Sequence, residues 1–487
     1  MVCPEPQPCE GSKTYEVGEL SNIRYQENES YMDLLKCMKD LSSHRKNCLY
    51  SLAIFPENTE LKKRLVVSWW IGLGLIPLER KAAEQLGNKY FSMLVDKGIL
   101  VPTRIRDHNQ VVDCCMIKPE IHRELILSCL KKGILENRKE GSWYFYREDG
   151  VNVKAVLNAD QQNINSSYIS RINPFIQVVQ LGMWHYTEQK AYIEVDETRF
   201  LAKLGDKVTY LSLQGISMIE ELPESIGQLE SLMILDLKNC QDLQRLPKKP
   251  RQTIGAALPR NSKWFEKLTH LDISGCYLIE HMPKWICELS TLQVLKGAVF
   301  NGSKTNQCRL QDLKTLKNLV KLSIEMINQP FLSPEDYSGL EPLDSLLVLI
   351  IKWRTDDHEN FQGLGAISFP KNLEKLDIRC YPKEEALELL NIENQEKLKR
   401  LYIRGGMFTR LKNTSHWPVE ILRLRYLKKF ELDANLHWEF LQKLKCIEWE
   451  DCYIFDNTKG FWMLDIHGPL RFSQLPRKSP GAMSTGN

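Results

Sequence analysis

Residues 219–246, IEELPESIGQLESLMILDLKNCQDLQRL, contain the pattern that decides the fold. Within this stretch Leu232, Leu235 and Leu237 follow the spacing L-x-x-L-x-L, and Cys240 comes next at a turn. Alternate side chains of a short strand point to opposite faces, so the leucines face a core and the residues between them face away from it. One such unit cannot bury its own leucines. The pattern therefore predicts a core that forms only when many copies stack.

The same pattern recurs through the second half of the chain. Its copies begin at Val208, Leu232, Leu268, Leu292, Leu319, Leu346, Leu373, Leu398, Leu427 and Leu444. Seven of the nine steps between these starts are 24–29 residues long, which is typical of leucine-rich repeats. The other steps, of 36 and 17 residues, indicate an insertion around 248–262 and a short final step. A single match would also fit an amphipathic helix, but ten copies with Ile and Val among them favour strands.

The predicted architecture of this half is a solenoid with a parallel sheet on its concave face. Cys240, Cys276 and Cys452 occupy the turn position of three copies. A small side chain that hydrogen-bonds the turning backbone suits that position, so we expect a structural role for these cysteines. The chain contains no C-x-x-C pair that would indicate a metal or redox site.

The first half of the chain has helical periodicity instead. A first apolar stripe consists of Tyr31, Leu34, Leu35, Met38 and Leu41. A second helix is predicted over 61–75, a third from Ala83 to a stop at Gly98, and a fourth from Pro119 to Gly133. Residues 134–135 and 143–146 flank a polar stretch and predict a β-hairpin. Helices followed by a hairpin are the outline of a winged helix.

Charge and targeting signals narrow the class of protein. The 65 basic and 62 acidic side chains leave a net charge of +3, too small to indicate nucleic acid or an anionic membrane as the main partner. The N-terminus has no apolar secretory signal, and the apolar stretch 65–78 is too short to span a bilayer. Fourteen cysteines without a secretory signal favour reduced thiols over disulfides. We therefore expect a cytoplasmic protein without a transmembrane segment.

Motifs for catalysis are missing from the sequence. It contains no H-E-x-x-H, H-x-x-E-H or G-x-S-x-G, which argues against an enzyme and gives no catalytic, cofactor or metal site. A winged helix can also bind DNA. The helix at 119–132 carries His122, Arg123, Lys131 and Lys132 mixed with Glu120 and Glu124. That mixture favours a solvated outer face over a recognition helix, so no nucleic-acid partner is expected.

Residues 48–76, CLYSLAIFPENTELKKRLVVSWWIGLGLI, resemble the winged-helix segment of plant NB-LRR disease-resistance proteins of the coiled-coil type. The features that match are Cys48, Ile54-Phe55-Pro56-Glu57, Arg64-Leu65, Trp70-Ile71 and Gly74. The similarity continues through Ala83-Glu84, Tyr90-Phe91 and Gly98-Ile99-Leu100, and the repeat at 219–246 is also typical of the family. The resemblance implies a winged helix followed by repeats that fold back onto it.

The family's nucleotide switch is only partly represented. The sequence contains no P-loop of the form G-x-x-x-x-G-K-[ST], so no nucleotide cofactor is expected. The Met-His-Asp motif of the family falls at Met116, Ile117 and Lys118, where the histidine and the aspartate are both replaced. The resemblance therefore implies the part of such a receptor that follows its phosphate-binding region.

The candidate binding surface comes from the residues between the repeat leucines. On this register Tyr210, Ser212, Ile234, Asp236, His270, Asp272 and their counterparts in later copies should be exposed. Basic residues gather between 352 and 404, and Arg and Tyr are frequent hot spots of protein interfaces. The candidate protein-binding residues are therefore Lys352, Arg379, Arg400, Tyr402 and Arg404.

These observations lead to one interpretation with alternatives. The domain boundaries expected are 1–27 disordered, 28–158 winged-helix-like, 159–207 linker and N-terminal cap, 208–464 repeats and 465–487 flexible tail. The function expected is recognition or regulation in plant defence, with a pathogen effector, a guarded host protein or a full-length receptor as partner. The alternatives are a fragment of an ATP/ADP-switched receptor and a substrate-selecting adaptor of the ubiquitin system, although no F-box sequence is recognisable near the N-terminus.

Overall fold

The structure is a computed structural model. It describes residues 29–76, 83–106, 111–138, 142–146, 152–158, 163–164, 175–184, 192–195, 198–249, 264–301, 307–327, 338–354, 368–382, 395–408, 418–427, 430–431, 445–450, 453–456, 460–463 and 468–471. The segment 1–27, expected to be disordered, lies outside the described residues. The chain divides into two compact units, Met1–Leu278 and Ile279–Asn487. Among the described residues, none of the helices is both long enough and apolar enough to cross a membrane.

The first unit begins with a helical domain that contains a small sheet. Its helices are α1 (Glu29–Lys39), α2 (Ser43–Tyr50), α3 (Lys63–Gly72), α4 (Ala83–Asp96) and α5 (Pro119–Lys131), with a 3-10 turn at Ser51–Ile54. Its strands are β1 (Leu61–Lys62), β2 (Leu100–Arg106) and β3 (Val111–Ile117), antiparallel in the order β1-β3-β2. The helix α2 and the β2–β3 hairpin were not expected from the periodicity.

The glycine stops expected after two of the helices are confirmed. Gly98 and Gly133 follow α4 and α5 with φ of 68° and 64°, a left-handed conformation in which glycine has no Cβ penalty. The predicted helix over 61–75 is shorter, because residues 61–62 pair with β3. In the first apolar stripe Leu34, Met38 and Leu41 are buried, but Leu35 is 42% exposed and does not belong to the core.

The predicted hairpin exists, but it is not the wing of the helical domain. Its strands β4 (Leu135–Arg138) and β5 (Ser142–Tyr146) pair antiparallel, and β5 pairs with β6 (Asn152–Leu157). Strand β6 then pairs in parallel with β7 (Val178–Gln180) and so joins the repeat sheet. The expected linker 159–207 thus contains a repeat strand, whose Ile176, Val179 and Leu181 are buried in a looser form of the pattern.

The parallel sheet of the first unit continues through three regular repeats. Its next strands are β8 (Tyr210–Ser212), β9 (Ile234–Asp236) and β10 (His270–Asp272). They pair in register, so that Leu211, Leu235 and Leu271 stand side by side and are fully buried. The leucine stack predicted from the sequence is the core of this part of the unit.

The second unit is built on longer parallel strands. These are β11 (Val294–Phe300), β12 (Lys321–Ile327), β13 (Val348–Arg354), β14 (Lys375–Tyr381), β15 (Arg400–Gly406), β16 (Ile421–Arg425) and β18 (Cys446–Glu450). The sheet is in register from β12 to β18, and β11 pairs with β12 with a shift of register between Lys296 and Ala298. Strand β21 (Gly468–Arg471) adds antiparallel to β18, within the segment expected to be a flexible tail. A separate sheet contains β17 (Phe430–Glu431), β19 (Tyr453–Asp456) and β20 (Gly460–Met463).

One of the ten predicted copies is misplaced. The copy predicted to start at Leu427 has its strand at β16 in the structure, with Val419, Leu422 and Leu424 as the pattern. Phe430, expected in the same strand, lies in β17 instead. The corrected starts at Val419 and Leu444 replace steps of 29 and 17 residues by steps of 21 and 25. The short final step was a consequence of this misassignment.

Two of the cysteines at repeat turns donate hydrogen bonds to the backbone, and two other cysteines form a disulfide. The Sγ of Cys240 donates to the carbonyl of Leu213 at 3.1 Å and the Sγ of Cys276 to that of Leu237 at 3.0 Å, which confirms the turn role. Cys452 lies outside the described residues. The expectation of reduced thiols without disulfides is wrong at one place. Cys287 and Cys308 form a disulfide with their Cα atoms 6.0 Å apart, a separation within the range that a disulfide allows.

Candidate protein-binding faces

The first candidate face lies on β8–β10 and is covered by the helical domain of the same unit. The ring of Tyr210 packs edge-on against Trp69 of α3, with 6.4 Å between the ring centroids. Thr209 Oγ1 donates to the carbonyl of Gly72 at 2.6 Å, at the end of the same helix. We call the buried surface formed by β8, β9 and β10 against α3 the covered face.

The covered face corrects the expected exposure of its residues. Tyr210, Ser212, Ile234 and Asp272 were predicted to be exposed, but all four are buried. The residues between the leucines point away from the solenoid core, as the register requires, and there they meet the helical domain instead of water. The approach is close because Gly72 has no side chain. A Cβ on Gly72 would lie 2.6 Å from the Cβ of Tyr210.

An ion-pair cluster closes the edge of the covered face. The Nη2 of Arg64, on α3, lies 3.4 Å from Asp236 Oδ2 and also pairs with Asp272 Oδ2. The other oxygen of each aspartate accepts a backbone N–H two residues further on, from Lys238 at 3.1 Å and from Ser274 at 3.0 Å. Each carboxylate thus holds a turn with one oxygen and the arginine with the other. Because these bonds fix both aspartates, Arg64 meets a preformed pair of acceptors.

The second candidate face lies on β13–β16 of the second unit and carries many cations. Pairing places Lys352, Arg379, Arg404 and Arg425 side by side on four successive strands. Two positions earlier along the strands, Ile350, Asp377, Tyr402 and Arg423 form a parallel row, and a third row contains Val348, Lys375, Arg400 and Ile421. We call Lys352, Lys375, Arg379, Arg400, Arg404 and Arg425 the basic face.

Buried carboxylates hold these cations in place. Asp377 is 1% exposed and accepts two bonds from Arg379, at 3.1 and 3.0 Å, while Arg404 Nη2 lies 3.3 Å away. Glu325 plays the same part beside Lys352, with its Oε1 3.5 Å from the Nζ. Arg423 pairs with Glu448 across β16 and β18, and both are buried.

Tyr402 is a support for the cations rather than an exposed contact. The Lys375 Nζ lies 4.2 Å and the Arg423 Cζ 4.3 Å from its ring centroid, within cation–π distance. The ring is 6% exposed, so the expectation of an exposed Tyr402 is wrong. Burial raises the pKa of its hydroxyl. Its aromatic face is already used by two cations of the same surface.

Lys375 is a largely buried cation of the basic face. Burial, Asp377 and the neighbouring arginines together bring its pKa to about 8: burial lowers it most, Asp377 raises it, and Arg404, Arg400 and Arg379 lower it by smaller amounts. The same causes lower the pKa of Arg404, with burial first. Lys375 was expected to be exposed but was not among the candidate contacts, and Arg425 was missed because the copy that contains it was placed at Leu427.

Two family models match the chain. The model of the disease resistance protein winged helix domain matches residues 54–123, and that of the leucine rich repeat matches residues 267–289. Residues 54–123 thus match a winged-helix domain known from disease resistance proteins, and residues 267–289 match a leucine-rich repeat. The winged-helix match includes the β2–β3 hairpin and ends at residue 123, before β4. It therefore agrees with the assignment of β2–β3, and not β4–β5, to the helical domain.

Curated relatives extend the similarity over most of the chain. Disease resistance RPP13-like protein 4 of Arabidopsis thaliana is 25% identical over 443 residues, which are 86% of this chain and 49% of that protein. Probable disease resistance protein RF45 of the same plant is 24% identical over 480 residues, 95% of this chain and 42% of that protein. The chain thus spans about half the length of the curated relatives it matches. The solved structure of Leptospira interrogans LRR protein LIC12759, at 16% identity and a TM-score of 0.27, covers 59% of this chain and 81% of that one.

The position expected for the nucleotide-sensing motif of disease-resistance proteins lies at the junction of β3 and α5. Met116 and Ile117 end β3, and Lys118 is the exposed residue that precedes α5. His122, one turn further along α5, was expected on a solvated face but is buried. Burial lowers the pKa of His122 to about 4, although a hydrogen bond to the backbone of Phe55 raises it. His122 is therefore part of the core of the helical domain.

Proposed function

We propose that the chain is a non-enzymatic, cytoplasmic protein of plant defence that recognises or regulates through protein binding. Its partner is a pathogen effector, a guarded host protein or a full-length receptor, and its contact residues are Lys352, Arg379, Arg400 and Arg404. Neither nucleic acid nor a cofactor takes part. The observation that carries this proposal is the contrast between a covered face on β8–β10 and a basic face whose cations are held in fixed positions.

The two faces support two different parts of the proposal. The helical domain occupies the covered face in the way an internal partner would, so the first repeats contribute to holding the winged helix. Arg379 and Arg404 keep solvent exposure of 35% and 27% while their positions are fixed by Asp377. Cations that are both fixed and accessible lose little side-chain entropy when a protein binds them.

A proximity-labelling experiment tests the proposal. We would fuse the chain to a biotin ligase, express it in Arabidopsis leaf cells and compare it with an Arg400→Glu/Arg404→Gln variant. The matched control is Arg245→Glu/Lys371→Gln, which makes the same charge change at two exposed ion pairs. We expect proteins that are labelled by the wild type and the control but not by the variant, together with a changed defence-reporter output. Identical labelling by all three proteins, with unchanged output, would refute the proposal.

A second candidate function is favoured by the length comparison. The relatives are about twice as long as the matched span, so the second candidate is that the chain is a fragment of a full-length receptor switched by ATP/ADP exchange. An antibody against the repeats, followed by peptide mapping of the native band, separates the two. A band near 56.7 kDa supports the first proposal. A band about twice as large, containing P-loop peptides, supports the switched receptor.

A further inference from the structure

We propose that the basic face binds an acidic protein segment, a run of Asp and Glu side chains in extended conformation with apolar residues among them. The inference rests on the proposed function as a protein-binding surface and names the chemistry of the partner. It does not depend on which protein supplies the segment.

The spacing of the cations is the first argument. Lys352, Arg379, Arg404 and Arg425 occupy one register position on four neighbouring strands. Neighbouring strands lie about 4.8 Å apart, so this row is about 15 Å long. A planar guanidinium fork matches a carboxylate bidentately, which makes a row with three arginines suited to several carboxylates in succession. A single small anion would use only one part of that length.

The balance of charge around the row is the second argument. Asp377 serves both Arg379 and Arg404, so one carboxylate is shared by two guanidinium groups. Around Lys375 lie three arginines, Arg379, Arg400 and Arg404, and the same carboxylate. The buried Nε of Arg404 has no hydrogen-bond partner among the residues that the structure describes. An arriving carboxylate would therefore relieve repulsion between cations that the fold keeps together.

The apolar residues of the same grid favour a peptide over an inorganic or organic phosphate. Val348 and Ile350 on β13 and Ile421 on β16 are partly exposed and stand in the rows beside the cations. Apolar side chains of an acidic segment can bury this surface, whereas phosphate groups cannot use it. The partner chemistry that uses every exposed part of the surface is an acidic segment that also carries apolar residues.

Fluorescence anisotropy with the purified full chain tests this inference. The probes are labelled octa-glutamate, octa-glutamine as the neutral control, and inorganic tripolyphosphate as a competitor that represents a small polyanion. We expect octa-glutamate to bind, octa-glutamine not to bind, and the affinity to fall as salt is raised. Arg400→Ala and Arg404→Ala combined should weaken binding at least about tenfold, since a hydrogen bond to a charged group contributes roughly that factor or more.

The variants are chosen so that folding is preserved. Arg379 continues to neutralise Asp377 when Arg404 is removed, and the partner of Arg400 is Glu374, which is 42% exposed. Lys371→Ala combined with Arg245→Ala removes two cations from exposed ion pairs and should bind octa-glutamate like the wild type. Thermal melting of each protein shows that binding is compared between folded chains.

Two results would overturn the inference. One is binding of octa-glutamate that is equal in wild type, basic-face variant and control. The other is high affinity for tripolyphosphate at the basic face with no binding of octa-glutamate, which would make the site one for small polyanions. If the labelling experiment finds a partner that depends on Arg400 and Arg404 while octa-glutamate does not bind, the proposed function stands and the acidic segment is rejected. If octa-glutamate binds but the labelling experiment finds no partner that depends on Arg400 and Arg404, the proposed function is rejected instead.

Discussion

The covered face and the basic face are built from the same positions of the same repeat pattern, yet they have opposite environments. On β8–β10 the residues between the leucines include Tyr210 and Ile234, which are buried against α3. On β13–β16 the corresponding residues are mainly Lys and Arg, held by Asp377 and Glu325 and partly exposed. A leucine pattern therefore specifies the side of the sheet that faces the solenoid core, and the residues in between specify what meets the other side.

The composition of each face agrees with its environment. An aromatic or branched side chain on the outward position gains free energy when a second domain removes it from water. Arginines on that position need carboxylates and remain favourable only with access to solvent or to an anionic partner. The two faces should therefore differ in stability, in pH dependence and in their response to the loss of charge.

The largest effect is expected at Tyr210. Replacing Tyr210 by Ala removes a fully buried ring that packs on Trp69 and a hydroxyl that donates to Gln180 at 2.6 Å. Truncation of a buried aromatic typically costs about 3–5 kcal/mol of unfolding free energy. Val348, which has the same position on β13 and is only partly buried, provides the matched control. We expect Val348→Ala to cost less than about 1.5 kcal/mol, as measured by urea denaturation of both variants.

An equal loss of stability in the two variants would contradict the distinction between the faces. It would mean that α3 does not cover β8 in solution, since the ring of Tyr210 would then be no better packed than the side chain of Val348. A Gly72→Val variant provides an independent check. Its Cβ would overlap that of Tyr210, so the variant should separate helix and sheet although no repeat residue is replaced.

The next effect is a loss of stability in acid through His122. The pKa of His122 falls from an ordinary value near 6.5 to about 4 because burial disfavours the charged ring. Since the folded-state pKa is below the unfolded one, this contribution is complete above pH 6.5 and is lost as the pH falls toward 4. The shift corresponds to about 3 kcal/mol at most. Because Phe55, which accepts a bond from His122, packs on Trp69, the loss should loosen the helical side of the covered face.

Melting temperatures between pH 7 and pH 4 measure this effect. His122→Gln keeps an N–H donor but does not titrate, so its melting temperature should depend less on pH over this interval. A variant with the same slope as the wild type would show that other groups cause the acid sensitivity and that His122 is accessible to solvent.

Much of the fold could be predicted from the sequence because it depends on local periodicity. The leucine spacing gave the strands, and Pro119, Gly98 and Gly133 marked helix ends through backbone preferences that act within one turn. The misplaced copy shows the limit. Val419 and Leu427 both begin acceptable patterns, and only the pairing of Ile421 with Arg400 and Cys446 decides between them.

The environments of the two faces could not be predicted in the same way. The contact between Thr209 and Gly72 joins residues 137 positions apart, and a glycine gives no sign in the sequence of which chain passes over it. Tyr402 was predicted as a contact because aromatic residues are frequent in interfaces, but its neighbours Lys375 and Arg423 come from adjacent strands and enclose it. The sequence shows which residues alternate along one strand. Which residues are neighbours on adjacent strands becomes known only from the pairing register.

A smaller effect is expected for the ion-pair cluster at the edge of the covered face. Arg64 is 41% exposed, so solvent screens much of its attraction to Asp236 and Asp272. A double-mutant cycle of Arg64→Ala with Asp272→Asn should give a coupling energy of about 1 kcal/mol. Raising the salt concentration should reduce it. A coupling of zero at low salt would mean that Arg64 does not hold α3 against the repeats.

The smallest effect on stability is expected for Arg400→Ala on the basic face. Arg400 is 38% exposed and its partner Glu374 is 42% exposed, a pair of the kind that contributes about 0–1 kcal/mol. Loss of this attraction is offset by relief of the repulsion that Arg400 exerts on Lys375. The unfolding free energy should therefore change by less than about 0.5 kcal/mol, while the pKa of Lys375 rises. Urea denaturation and NMR titration of the Lys375 ammonium measure the two quantities. A clear loss of stability would show that the cations of the basic face hold the fold together, and would remove the reason for assigning them to a partner.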